Sequence, residues 1–469
     1  MTMSQAMAYE KWDVLVVGGG ASGIGAAIAA AHNGARVLLV DAGPMVGGEL
    51  VSGIPVDGCL SSRGEWVVGG VCRELFDECD RLGGYIGAIN DYRSLHVVAV
   101  DPEIMKVAVI NLLHRAGVAL RLYSYADDVV MQDGRVCGVV VVSKGRRSLV
   151  EATVVIDASG DGELAVAAGA PWEKGDAALG ELQPVSLLFR MAGVDSERLL
   201  RFARDNPENF GFAEYAGIGL TPGEAAAALY RQGLAKLFMV ADGPVMRDAM
   251  AARELHRSSM IGITPTSIAR REVSLNTARV GHLDATDTQR LSAAWPELAR
   301  QVWDCAAFLK RRVPGFESSA FAGVAPRIGI RETRRITGDY VLSDADVAEG
   351  RKRDDGIAKG AHEIDVHLAG TGHYRRPIAN GGSYDIPYAT LLPRGIANMF
   401  AVGRCLSSTR IAHSSARVMG TCLALGQAAG TAAAMAAQAN QWDGNLRSIP
   451  VARLRDVLRA QGAVLEGTG

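Results

Sequence analysis

Uninterrupted apolar runs, rather than any motif, first divide this chain into elements. Residues 13–17 (DVLVV) and 36–40 (RVLLV) are continuous and apolar, the pattern of strands buried on both faces of a parallel sheet. Between them residues 21–33 are small and helix-forming, and Gly34 follows as a helix-ending residue. Residues 118–142 predict a hairpin turning at Asp133-Gly134. Residues 151–158 (EATVVIDA) predict another buried strand. Residues 398–402 (NMFAV) predict a further one, followed by Gly403 and a long small-residue helix near 414–437. From about 170 to 390 the apolar runs shorten, and helices predicted at 224–236 and 287–311 alternate with arginine-rich loops. The expected architecture is α/β. A discontinuous cofactor-binding domain (1–169 and 391–469) carries an inserted α+β substrate or cap domain (170–390), and residues 450–465 predict an amphipathic surface helix.

Glycine is abundant, 55 of 469 residues against about 7 % on average, and it clusters where the first strand meets the first helix. Gly18-x-Gly20-x-x-Gly23 sits at that junction. Gly18 permits the turn, Gly20 leaves room for a pyrophosphate against the backbone at Ala21 and Ser22, and Gly23 allows helix and strand to pack closely. A pyrophosphate there would lie at a helix N-terminus. Asp41 ends the second strand 23 positions after Gly18, next to Ala42, placed to accept from a ribose hydroxyl. A glycine-rich turn without any ligand is the competing explanation.

The chain resembles the FAD-dependent oxidoreductase family, within the glutathione-reductase/fumarate-reductase type of flavoproteins. The resemblance spans residues 12 to 465. It is carried by VVGGGASGIGAAIAAAHNGARVLLVDAG, GGELVSG, DASGDGELA, LQPVSLLFRMAGVD, RIGIRETRRITGDYVL, YDIPYATLLPRGIANMFAVGRCLS and AHSSARVMGTCLALGQAAGTAAA. It implies a Rossmann-like FAD-binding domain of the glutathione-reductase type and FAD as cofactor. In that setting Gly47 and Gly48 would meet the ribityl and flavin, and Ser52 would bond near flavin N5. Val129 would lie where the backbone meets adenine, and Gly160 and Asp161 would close over the dinucleotide. At Gly403-Arg404 relatives commonly carry Gly-Asp, so Arg404 would pair with a phosphate instead. The helix following His413-Ser414-Ser415 would aim its N-terminus at flavin N1/O2. Gly420, Gly426 and Gly430 would let it pack on the first helix.

Catalytic candidates are fewer. Arg327 and Arg331 share one face if their segment is extended, and two guanidinium forks suit a carboxylate or a carbonyl. A salt-bridged structural strand is the equal alternative. Arg335 shares the spacing but lies further along, so its replacement by lysine should be nearly silent. Asp365-Val-His367 matches a recurring D-x-H element of the family, which implies that His367 acts near substrate. His413 would stabilise reduced flavin, and Tyr384 would be pocket wall or proton donor. His362, His367 and His373 lack nearby cysteines, so no metal site is expected.

Charge narrows the function classes. Lys+Arg (49) and Asp+Glu (51) leave a net charge of −2, which excludes nucleic-acid binding driven by bulk charge. No apolar run reaches transmembrane length, and the N-terminus lacks a secretory pattern. The seven cysteines form no CxxC, so reduced thiols in the cytoplasm are expected. The leading function is hydride transfer between flavin N5 and a small organic substrate, with an unidentified electron acceptor or donor. The alternatives are non-redox chemistry (hydration or isomerisation) with reduced FAD, and a non-catalytic dinucleotide-binding protein. A homo-oligomer is compatible with all of them.

Overall fold

The computed structural model describes residues 8–176, 180–215, 218–367 and 372–467. The outer limits expected above, at residues 1 and 469, lie outside the described residues. The first sheet has seven strands. Its parallel part runs Ala119–Arg121, Val37–Val40, Ala8–Val17, Arg146–Asp157 and Met399–Ala401, in spatial order. The hairpin Ser124–Gln132/Arg135–Ser143 joins antiparallel to the first half of Arg146–Asp157. Its turn residues Asp133 and Gly134 both have positive φ (49° and 73°), as a tight two-residue hairpin requires.

Helix α1 (Ala21–His32) covers one face of this sheet, and helix α2 (Met419–Gln438) packs on α1 through glycines. A Cβ on Gly426 would come within 2.0 Å of Ser22 O, and one on Gly430 within 2.1 Å of Ala26 O, so the two backbones touch. Gly420 does something else: its Cβ position abuts Gly58 and Cys59, not α1. The long helix also starts later than its sequence suggests. Arg410–Ala416 is a separate short helix bent by 90° from α2, because Val418 is extended (φ −73°, ψ 157°). No single described helix is long and apolar enough to cross a membrane.

The second sheet is antiparallel, ordered Leu237–Val240, Met260–Ser267, Glu272–Val280, Val185–Ala192 and Ala320–Val324. Alternation along its strands decides what each face does. Leu187, Phe189, Ile261, Ile263, Val273 and Leu275 point into an apolar core shared with helices such as Ser196–Asp205 and Trp295–Arg312. Their neighbours Ser186, Leu188, Thr264, Ser274 and Asn276 line cavities on the opposite face. The predicted 224–236 helix spans Pro222–Gln232, and the 287–311 helix is two pieces, Thr288–Ala293 and Trp295–Arg312. Buried apolar residues from Leu342 to Leu392 belong to the first core, whereas the second core draws its buried residues from Val185 to Phe316.

Candidate active site

The first strand ends at Val17, and three consecutive glycines then turn under the sheet's carboxyl edge. Gly18 has φ +99°, and a Cβ there would lie 2.4 Å from Ala158 O. A Cβ on Gly23 would lie 1.8 Å from Gly18 O, so that glycine lets α1 begin against the turn. Gly20 differs: nothing lies within 4 Å of its Cβ position. That open space belongs to a cavity of about 1130 Å³ including its mouth, at the carboxyl end of the parallel strands where open α/β sheets bind ligands.

Of the expected cofactor residues, Gly18, Gly20, Ala21, Ser22, Asp41, Gly48, Gly160 and Arg404 border this cavity, as do Arg327 and Arg331. Gly23 and Gly47 shape the turn from behind, Gly47 N–H donating to Gly19 O at 2.7 Å. Gly403 (φ +82°) packs against the Ser22 side chain. The Asp41 carboxylate accepts from Gly19 N–H (2.6 Å) and Gly43 N–H (2.7 Å), so it braces the glycine turn as well as facing the cavity. Arg404 donates to Thr333 Oγ1 (2.7 Å) and Asp161 Oδ1 (3.0 Å). Burial opposes the charge on Asp161, but the Arg404 guanidinium and the Thr333 hydroxyl outweigh it and hold the carboxyl below its ordinary value.

Several expectations need correction. Ser52 is buried and its hydroxyl bonds Glu49 O (2.8 Å), closing its own turn rather than facing the cavity. Val129 is a hairpin residue packed on a small core under the sheet, and Ala42 is exposed; neither lines the cavity. Tyr384 is fully buried, its hydroxyl on Ser415 Oγ (2.8 Å) and its ring against Gly360, so it is core and not pocket wall. His413 is fully buried behind the cavity wall, its Nε2 2.7 Å from Arg404 O. Burial, then Arg417, pushes its pKa well down, so it is a neutral imidazole donating to that carbonyl. The helix terminus that does border the cavity is Val418-Met419, at the start of α2.

A second cavity, about 850 Å³ including its mouth, continues from the first beneath the second sheet. The two share Ile54, Asp57, Leu188, Arg331, Arg417 and Val418. Arg331 Nη1 donates to Pro184 O (2.8 Å) and to Ser186 Oγ. Arg417 Nη2 donates to Gln183 Oε1 (3.2 Å). Arg279 Nη1 donates to Ser259 Oγ (3.1 Å) and meets His367 Nδ1 at 3.2 Å. His367 Nε2 lies 3.3 Å from Asp365 Oδ2. Burial lowers the pKa of all three arginines, Arg279 to about 10. Asp57 Oδ1 is buried without a hydrogen-bond partner, and burial raises the pKa of its carboxyl.

Arg279, Arg417 and Asp57 were not singled out as site residues by the sequence, and Asp365 entered only as part of the element that carries His367. Arg279 is the instructive case. Leu187 pairs with Ala278 and Phe189 with Leu275, so the strand Glu272–Val280 carries one extra residue between them. This bulge reverses the alternation, sending Ala278 to the core and Arg279 to the cavity. A bulge leaves no mark in an alternation count. Asp57 had a usable signal, an acid inside the glycine- and proline-containing run SGIPVDG.

A family model described as FAD dependent oxidoreductase matches residues 13–458. The chain belongs to this family. It is therefore an FAD-dependent enzyme with a mixed α/β, FAD-binding oxidoreductase-like fold. The residues present fit the cofactor: the glycine turn exposes backbone into open space at Gly20, and the N-terminus of α2 faces the same cavity. Among solved structures, a geranylgeranyl bacteriochlorophyll reductase-like protein from Thermoplasma acidophilum is similar at TM-score 0.45 and 14 % identity, over 97 % of this chain and 84 % of that one. The flavin-dependent brominase Bmp2 is similar at 0.47 and 13 %, over 95 % and 83 %. The p-nitrophenol 4-monooxygenase PnpA from Pseudomonas putida DLL-E4 is similar at 0.39 and 11 %, over 92 % and 80 %. Likenesses this distant assign no residue of the site.

Proposed function

We propose that this FAD-dependent oxidoreductase exchanges a hydride with a small organic substrate seated in the second cavity, the flavin end of FAD lying at the wall the two cavities share. The observation that carries the reading is the continuity of the cavities through Asp57, Arg331, Arg417 and Val418. FAD supplies hydride acceptance and donation at N5 when bound. The chain's own groups do the rest. The Gly18–Ser22 turn and the start of α1 receive the pyrophosphate, and Asp41 the adenosine ribose. The start of α2, with its partial positive charge, favours the electron-rich end of the flavin. Arg331 orients the substrate, and Asp57 Oδ1 takes or gives the proton that accompanies the hydride.

In this reading the first sheet and the returning residues after about 331 form an FAD domain of the glutathione-reductase type. The second sheet and its helices form the inserted substrate domain. The second electron partner is a separate molecule.

The test is direct. Flavin released from the denatured protein identifies the cofactor, and anaerobic addition of candidate substrates should bleach the bound flavin. Turnover that proceeds only with pre-reduced flavin, without net oxidation or reduction of substrate, would replace this reading by the non-redox one.

A further inference from the structure

Three arginines reach the second cavity from three parts of the chain. Arg279 comes from the bulged strand, Arg331 from the segment after the second sheet, and Arg417 from the bend before α2. Every hydrogen bond their side chains make goes to a neutral group: Ser259 and His367 for Arg279, Pro184 and Ser186 for Arg331, Gln183 for Arg417. The Nε atoms of Arg279 and Arg417 are buried with no partner at all. One carboxylate, Asp365, acts electrostatically on all three, and it also lies 3.3 Å from His367 Nε2.

Glu49 also acts on Arg331, and Glu332 on Arg417. Glu49 lies beside Arg327, however, and Glu332 is held by Arg335 and Arg410, so neither is dedicated to this cluster. The three guanidiniums therefore keep an excess of positive charge inside the protein. Asp57 offsets at most one of these charges, and burial favours its protonated form. Buried charges are normally paired, because an unpaired one costs several kcal/mol. The cost is borne elsewhere in this same cavity with full pairing: Arg93 meets Glu214, and Arg375 meets Glu214 and Glu363. The pyrophosphate of FAD does not account for the cluster. Its place is the glycine turn, and Arg279 lines only the second cavity.

We propose that Arg279, Arg331 and Arg417 form the carboxylate-binding site of the substrate, which is a small carboxylic acid. The proposal rests on the reading of the two cavities given above. Planar guanidinium forks match the two oxygens of a carboxylate. Leu188, Phe238 and Met260 lie on the same cavity wall and accept the apolar remainder of the acid. His367 is a positioning residue that holds Arg279 in place.

The experiment is a calorimetric titration of the purified FAD-containing protein with succinate, benzoate, their amides succinamide and benzamide, and inorganic phosphate. At least one carboxylate should bind at least about tenfold more tightly than its amide and perturb the visible spectrum of the flavin. Arg279→Gln and Arg417→Lys should each lose at least about tenfold of that affinity while keeping FAD. Arg279→Gln should not lower Tm, because it removes a buried charge whose hydrogen bonds go only to neutral groups and whose one nearby carboxylate, Asp365, is shared with Arg331 and Arg417. A structural arginine would show the opposite: a lower Tm with unchanged affinity. Equal binding of acid and amide, no binding of either acid, or phosphate binding more tightly than both acids would overturn the proposal. Where Arg279→Gln does not fold, Arg417→Lys and the acid-to-amide ratio of the unaltered protein decide. A preparation without FAD would sink the proposed function, and the same titration would still decide whether the arginines bind a carboxylate.

Discussion

Arg279 Nη1 stands 3.2 Å from His367 Nδ1, and this contact fixes the state of the imidazole. A guanidinium only donates, so Nδ1 accepts and the ring proton sits on Nε2, toward Asp365 Oδ2 at 3.3 Å. Burial lowers the pKa of His367 well below its ordinary value, which keeps the ring neutral. His367 is thereby engaged on both sides and positions Arg279. His367→Ala should raise KM by about 1–2 kcal/mol equivalent with little change in kcat, the scale of one lost buried hydrogen bond. His367→Gln, which keeps an acceptor, should recover part of the loss. An inflection in the pH profile of kcat/KM that disappears in His367→Gln would instead make this histidine the proton carrier.

Stability should fall on the acid side, with the buried neutral histidines as the cause. The pKa of His367 and of His413 is lowered by burial, and that of His256 to about 4. Below about pH 6.5 the unfolded chain takes up protons that the folded chain refuses, so stability declines as pH falls through that value. Each such group contributes a slope of at most about 1.4 kcal/mol per pH unit. Asp57 and Asp157, raised by burial, act in the opposite direction, gaining relative stability as pH falls. The difference between proteins isolates one group: His413→Gln should flatten the decline in Tm between pH 6.5 and 5. An unchanged slope would mean that His413 is protonated in the fold.

Gly20 and Gly23, three positions apart in the same motif, should behave differently. A side chain at Gly20 enters open cavity, whereas one at Gly23 would meet Gly18 O at 1.8 Å. Gly20→Val should fold with near-normal Tm and purify without FAD, its branched side chain filling the place of the pyrophosphate. Gly23→Ala should lose stability before it loses any cofactor contact. Stoichiometric FAD in a folded Gly20→Val protein would remove the glycine turn from the cofactor site.

The first sheet, the glycine turn and the return of the chain near Met399 were legible because buried parallel strands and small-residue helices leave long, unbroken signals. The catalytic side was less legible. Tyr384 and His413 looked chemical by residue type, yet burial has turned both into internal struts. Arg279 came into the site only through a bulge, and Arg417 through a break between two helices that reads as one continuous small-residue pattern. Side-chain chemistry is written in the sequence; the local irregularity that aims it is not.

Arg335 shows the same limit from the other side. Spacing alone suggested an indifferent position, but its side chain is buried against the fully buried Glu332, with Nη1 3.0 Å from Oε1. Glu332 also receives Gln183 N–H (3.1 Å) and Arg410 Nε–H (3.3 Å), which ties the arginine-rich segment to the entrance of the second sheet. Removing one partner of such a pair strands the other, at a cost on the order of 3 kcal/mol. Arg335→Gln should therefore lower the free energy of unfolding by about that amount while leaving substrate affinity nearly unchanged. A chemical denaturation midpoint equal to that of the unaltered protein would show that Arg410 alone satisfies Glu332.

Asp57 and Arg331 should separate proton transfer from substrate binding. Both line the wall common to the two cavities, but Asp57 Oδ1 has no partner and its pKa is raised by burial. As the proton acceptor for substrate oxidation it must be ionised, so kcat/KM in that direction should rise with pH through the raised value; in the reducing direction it should fall. Asp57→Asn should abolish that limb and lower kcat by about 10²–10⁴-fold, the usual worth of a general base, with FAD content intact. Arg331→Lys should leave the pH limb in place. It should lower kcat/KM by about ten- to a hundred-fold, because the lysine keeps the charge but loses the planar fork. Asp57→Asn with undiminished turnover and an unchanged pH profile would move the proton-handling role away from this carboxylate. The shared wall would then be left to binding alone.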